Sequence, residues 1–190
     1  MSLIKAFFFD LDGTLVDTHQ ANTSAYREAI KFVTSEDADA SLHTYIKNGE
    51  SSIDFLPKVV KGIGADSIKS INDKKKDLYP AQLHESRLNE FLSNFLKQMY
   101  SHSDTVLVTT AKKDNALAVL RHHELEEYFT YMIFGDDVDN MKPKPDAYLL
   151  ALKLTGLKTD EVIAFEDSGK GIEAANAAGI NVVHIRSFES

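Results

Sequence analysis

Ile4-Lys-Ala-Phe-Phe-Phe-Asp10-Leu-Asp12-Gly-Thr-Leu-Val-Asp17 decides how the rest of this chain is read. Its apolar run, Ala6 to Phe9, leaves no position for a solvated face, so it suits a strand covered on both sides in a parallel α/β sheet. Asp10 and Asp12 stand at the carboxyl end of that strand, where ligands gather in open α/β sheets. Gly13 then lets the backbone turn sharply. Two carboxylates this close repel, and a desolvated site would force one to protonate unless a cation lay between them. Magnesium answers that need: it is hard, prefers oxygen, and takes one or two carboxylates with water and substrate phosphate. An isolated Asp-x-Asp would read as a turn whose acids only cap the backbone. The longer string, following four apolar residues, favours chemistry.

Outward from Asp17 the periodicity changes to helical. Thr18 is expected to cap a helix running through Ala21, Tyr26, Ala29, Ile30 and Val33. Helical pieces without a strand follow from Asp37 to Leu96, with one apolar stripe at Ile53, Leu56, Val59 and Val60 and another at Leu88, Leu92, Phe95, Leu96 and Met99. Residues 17–87 are therefore expected to form a small helical insert, with 1–16 and 88–190 as the core.

From Asp104 strand and helix alternate. Thr105–Thr109, Tyr131–Phe134, Val162–Phe165 and Val182–Ile185 read as strands. Asn115–His123, a segment opened by Pro145 and closed by Gly156, and Gly171–Ala178 read as helices. Such alternation implies a parallel sheet with right-handed crossovers.

Composition sets outer bounds. At 190 residues, 43% apolar and 26% charged, the chain has room for one well-buried domain, or a core with a smaller insert. A net charge of -8 argues against a nucleic-acid face, and Lys74, Lys75 and Lys76 read as a solvated helix face among acids. Without cysteine there is no disulfide framework, thiolate nucleophile or cysteine zinc site. The first strand begins too early for a signal peptide, and no apolar run approaches a membrane span. A soluble cytoplasmic enzyme is expected.

Further chemistry gathers at other strand ends. Thr109 closes Val-Leu-Val-Thr, where a hydroxyl can donate to a phosphate oxygen, although threonine is also an ordinary strand residue. Lys142 opens Lys-Pro-Lys-Pro-Asp, a loop stiffened by Pro143 and Pro145. An ammonium fixed there could neutralise a nucleophilic carboxylate and an incoming phosphate, with Lys144 as its rival. Glu166 and Asp167 terminate Val-Ile-Ala-Phe as Asp10 terminates the first strand, so acids from two strands can converge on one cation. Ser168-Gly-Lys-Gly171 lacks the full phosphate-loop pattern, so its glycines are assigned to a tight turn and close helix packing. His122 and His123 are adjacent on a helix and cannot face one ion together. Asp136, Asp137 and Asp139 read as a solvated turn, and Phe7, Phe8 and Phe9 as sheet packing.

Asp10-Leu-Asp12-Gly-Thr, Thr109, Lys142-Pro and Glu166-Asp167-Ser resemble, in order and context, the four motifs of the haloacid dehalogenase superfamily. The resemblance implies a Rossmann-like core with strand order 5-4-1-2-3 and an α-helical cap inserted after the first motif, as in the branch containing phosphoglycolate phosphatase and β-phosphoglucomutase. It departs where the insert rejoins the core: Ser86-Arg87-Leu88-Asn89 stands where many relatives carry Pro-Gly. What the resemblance implies chemically is a magnesium-dependent phosphomonoester phosphatase acting on a small phosphorylated metabolite through an aspartyl phosphate. Asp10 would be the nucleophile and Asp12 the general acid and base. Thr109 and Lys142 would bind phosphate, with Asp10, the Asp12 carbonyl, Asp167 and Glu166 at the metal. His19, Lys47, Asn48 and Glu50 are the corresponding candidates for specificity in the cap. A phosphomutase that resets its phosphoaspartate with a sugar phosphate is the alternative. Dehalogenase and phosphonatase chemistry fit less well, because relatives with those activities generally lack an acid/base at the position of Asp12. A regulator that binds phosphate without turnover would show a damaged nucleophile or acid/base, and both are intact.

Overall fold

The computed structural model describes residues 3–186 and 188, and the chain divides into two compact units, Met1–Asp17 with Arg87–Ser190, and Thr18–Ser86. The first unit opens with β1 (Ala6–Phe9) and β2 (Val16–Asp17). The second holds α1 (His19–Thr34), α2 (Leu42–Lys47), α3 (Ser52–Val59) and α4 (Ala65–Gln82). The first unit resumes with β3 (Arg87–Leu88), α5 (Glu90–Met99), β4 (Asp104–Val108), α6 (Lys113–His122) and β5 (Tyr131–Ile133). It closes with α7 (Asp146–Thr155), β6 (Val162–Glu166), α8 (Gly169–Ala177) and β7 (Asn181–His184). No helix among the described residues is long and apolar enough to cross a membrane.

Five strands form one parallel sheet in the order β5-β4-β1-β6-β7, the expected 5-4-1-2-3 counted from the other edge. β1 is central, and its register sets Phe9 beside Leu107 of β4 and Phe165 of β6. Asp10, Thr109 and Glu166 therefore leave the sheet at the same edge.

The three phenylalanines of β1 divide between the faces with the two-residue period of a strand. Phe8 joins Val106, Val108, Ala164, Tyr148, Ala151 and Ala174 in a buried core on one side. Phe7 and Phe9 meet an aromatic cluster on the other, where Phe7 packs edge-on to Phe95 of α5 at 5.0 Å and Phe9 stacks on Phe165 at 5.1 Å. Each such ring pair contributes about 0.5–1.5 kcal/mol beyond its buried area. Helix ends follow the expected chemistry here: Pro145 precedes α7, and Gly156 ends it in a left-handed conformation with φ 67°.

The helical unit corrects several expectations. Thr18 precedes α1, but its hydroxyl accepts from Asn22 Nδ2 at 3.2 Å and makes no capping bond to the helix backbone. With φ -104° and ψ 3° it lies outside the extended conformation that aims a capping oxygen at the first turn. In α3 the inward residues are Phe55, Leu56 and Val59, whereas Ile53 is exposed. Phe55 takes the inner place by packing edge-on to Tyr26 at 5.1 Å. Lys75, read as solvated, is buried on α4, its Nζ 3.7 Å from the centre of the Tyr79 ring and 5.4 Å from that of Tyr26. Consecutive helical residues project about 100° apart, so three lysines in a row cannot share one face. In the first unit, β3 falls inside the stretch expected to lack strands. It pairs antiparallel with β2, Val16 opposite Leu88 and Asp17 opposite Arg87. Two residues are too few to display an alternating pattern.

Candidate active site

At the carboxyl end of β1 the Asp10 carboxylate is buried and receives Lys142 Nζ at 2.7 Å. The same ammonium donates to the Val108 carbonyl at 2.8 Å and to Glu166 Oε1 at 2.5 Å. Three donors with three acceptors fix Lys142 completely. Burial pushes its pKa down, but the Asp10 and Glu166 carboxylates outweigh that and hold it above the ordinary lysine value. Lys144, the rival, is exposed. Lys142 thus enters the site as a permanent cation.

Glu166 ends β6 with its side chain out of contact with solvent. Its Oε1 accepts from Lys142 and from the Tyr148 hydroxyl at 2.6 Å, while Oε2 has no hydrogen-bond partner among the described residues. Burial and the charge of Asp10 push its pKa up to about 7, against the pull of Lys142 and Tyr148. Asp167 follows, half-buried, with Oδ1 accepting from Thr14 Oγ1 at 2.9 Å and its carbonyl 3.0 Å from His184 Nε2. Asp10, Glu166 and Asp167 each offer an oxygen within 4.8 Å of the others. Lys142 supplies one positive charge to these three carboxylates, and a buried carboxylate oxygen is left without a donor. That donor set, all hard oxygen and surplus in negative charge, fits a metal ion such as magnesium or calcium.

Two glycines are shaped to this cluster. A Cβ on Gly13 would approach the Asp167 carboxylate, and one on Gly171 the Glu166 carboxylate, closer than 3.0 Å, a separation real Cβ atoms do not show. Gly13 also has φ 88°, which costs a residue with a side chain about 1–2 kcal/mol. Gly13→Ala is accordingly expected to lower stability by about that amount in denaturant melts. It should also displace Asp167 and weaken divalent-cation binding in calorimetry; unaltered cation affinity would mean that Asp167 plays no part in it.

Thr109 is buried just past β4, and its Oγ1 accepts from the Ala111 N–H at 3.0 Å, which keeps its own O–H as a donor. Asp12 lies two residues beyond Asp10, half-buried, in a turn where the Gly13 N–H reaches the Val16 carbonyl. The sheet edge thus gathers Asp10, Thr109, Lys142, Glu166 and Asp167. The four specificity candidates lie in the helical unit. His19 begins α1, Lys47 ends α2, Asn48 follows it, and Glu50 pairs with Lys58 at 2.7 Å. Asp136 and Asp137 spend their carboxylates on the N–H groups of Lys113 and Phe134, as a turn would. Sequence reasoning missed Tyr148 and Thr14. Thr14 stood inside the quoted motif, whereas Tyr148 lay without an assigned role in the helix expected between Pro145 and Gly156.

A family model for haloacid dehalogenase-like hydrolases matches residues 7–185. A phosphorylated carbohydrates phosphatase of Thermotoga maritima is 33% identical over 186 residues, which span 95% of this chain and 84% of that protein. Fructose-1-phosphate phosphatase YqaB of Escherichia coli is 28% identical over 180 residues, 94% of either chain. The crystal structure of an Asp-to-Asn mutant of CbbY from Rhodobacter sphaeroides in complex with xylulose-1,5-bisphosphate matches with a TM-score of 0.83 at 25% identity, covering 98% of this chain and 88% of that one.

Proposed function

The chain belongs to the haloacid dehalogenase-like hydrolases, and from that membership we propose that it is a magnesium-dependent phosphatase of a small phosphorylated metabolite, most specifically a sugar phosphate, working through an aspartyl phosphate. The observation that carries the reading is the buried Asp10 carboxylate held 2.7 Å from Lys142 within a cluster of three acids. The names of the two relatives, a phosphorylated carbohydrates phosphatase and a fructose-1-phosphate phosphatase, support the substrate class. They favour hydrolysis over the phosphomutase alternative.

In this mechanism the Asp10 carboxylate attacks phosphorus while the ester P–O bond breaks, and the departing oxygen takes the proton of Asp12. Asp12, now ionised, accepts a proton from a water whose oxygen attacks the phosphorus of the aspartyl phosphate, breaking its bond to the Asp10 carboxylate and releasing inorganic phosphate. Lys142 balances charge on Asp10 and the phosphoryl group, and Thr109 donates to a phosphoryl oxygen. Asp10, the Asp12 carbonyl and Asp167 would hold magnesium, with Glu166 ligating it or orienting its water. Bound there, the ion supplies the positive charge that lets a phosphate dianion approach an ionised carboxylate. Thr18–Ser86 is proposed as the cap, with His19, Lys47, Asn48 and Glu50 selecting the ester group.

A panel of sugar phosphates and other phosphate monoesters, assayed for phosphate release with magnesium and then with excess chelator, tests this reading. Turnover of at least one sugar phosphate, abolished by chelator and restored by magnesium, is expected. Undiminished activity in chelator would remove the metal from the mechanism. Activity confined to non-sugar esters would overturn the substrate class.

A further inference from the structure

Tyr148 is buried completely, yet its hydroxyl reaches across from α7 to the end of β6 and donates to Glu166 Oε1 at 2.6 Å. Lys142 donates to that same oxygen at 2.5 Å. A carboxylate oxygen has two in-plane lone pairs, and these two donors engage both. Glu166 Oε2 keeps its own. The carboxylate cannot easily turn, because doing so would break two charge-assisted bonds at once. It is confined further by Gly171, whose Cα packs so closely that no Cβ would fit.

We infer that Tyr148 is a positioning residue that confines Glu166 to offering a single oxygen, and thereby biases the acidic cluster toward magnesium over calcium. The inference rests on the cation-dependent reading above. The chemistry follows from the two ions. Calcium accepts carboxylates through one oxygen or both, in loose geometries of six to eight ligands, whereas magnesium demands near-octahedral geometry and dehydrates reluctantly. A glutamate with one oxygen sealed by a phenol and an ammonium cannot become bidentate. Releasing that oxygen from the phenol restores the second mode and gives calcium more than it gives magnesium.

Tyr148→Phe keeps the ring in the core and deletes only the donor. Titration calorimetry of the full chain with magnesium chloride and, separately, calcium chloride is expected to show the magnesium-to-calcium affinity ratio falling about tenfold, within the range for losing a group that orients a metal ligand. In a Glu166→Gln background the same substitution should leave the ratio unchanged, because the carboxylate through which Tyr148 acts is gone. A ratio equal to that of the unsubstituted chain would overturn the inference. So would parallel loss of both affinities in step with a fall in Tm, which would make the hydroxyl a strut of the core. If Tyr148→Phe does not fold, the Glu166→Gln chain alone decides: an amide also ligates through one oxygen, so both affinities should fall together, and a selective loss of calcium would show that Glu166 was bidentate in the unsubstituted chain and overturn the inference. Should the unsubstituted chain bind neither ion, the cation-dependent reading itself fails, an outcome distinct from a constant ratio.

Discussion

Asp10→Asn is expected to bind substrate and never become phosphorylated, with turnover falling about 10⁴-fold or more, the scale on which covalent nucleophiles are lost. An amide oxygen is a poor nucleophile, yet Asn is close in size and can still accept from Lys142, which keeps its bonds to Val108 and Glu166. The site should therefore survive the substitution in form. Intact-protein mass spectrometry after rapid acid quench checks the point: the parent chain should carry a phosphate adduct during turnover and the variant none. Calorimetry with the same ester should show binding retained. An adduct on another residue of the variant would move the nucleophile elsewhere.

The second large effect is expected at Asp12. If its side chain carries the proton while only its backbone carbonyl reaches the metal, Asp12→Asn should leave magnesium affinity nearly unchanged and lower turnover about 10²- to 10⁴-fold, the worth of a positioned general acid or base. The loss should depend on the leaving group. An alkyl phosphate departs as a strong base and needs the proton, whereas an activated aryl phosphate leaves without it. Aspartyl-phosphate formation from the aryl ester should therefore be spared relative to the alkyl ester, as rapid-quench kinetics would reveal. Equal losses on both esters with weakened magnesium binding would make Asp12 a ligand and deprive the mechanism of its proton shuttle.

The parts of the site that were legible in the sequence are those whose partners lie along one strand end. Asp10, Thr109 and Glu166 each close an apolar run, and a parallel sheet brings such ends to one edge. Lys142 could be named but not separated from Lys144 until the fold showed which ammonium meets Asp10. Tyr148 was hidden for a different reason. Its partner Glu166 lies on the next strand, 18 residues on, and a tyrosine in an apolar helix face resembles any core aromatic. Lys75 was misread because net charge and local composition carry no information about helical phase. β3 was missed because its register is set by β2, far away in sequence.

That small β2–β3 ladder has a consequence for how such a chain can change. The two points where Thr18–Ser86 leaves and rejoins the first unit are pinned side by side, Asp17 against Arg87, by backbone pairing and an ion pair at 2.6 Å. Arg87 is well exposed, so the ion pair adds little, and the ladder does most of the holding. To the sheet, everything between is the loop of a hairpin. Closing a loop costs only about 0.6 kcal/mol more for each doubling of its length. A longer, shorter or wholly different segment could therefore be spliced between Asp17 and Arg87 with little penalty to the strands that carry Asp10 and Asp167. On the proposed function, selectivity for the ester group and the chemistry of the phosphoryl group would then diverge on separate schedules, one in an exchangeable cassette and the other in a frame that stays the same.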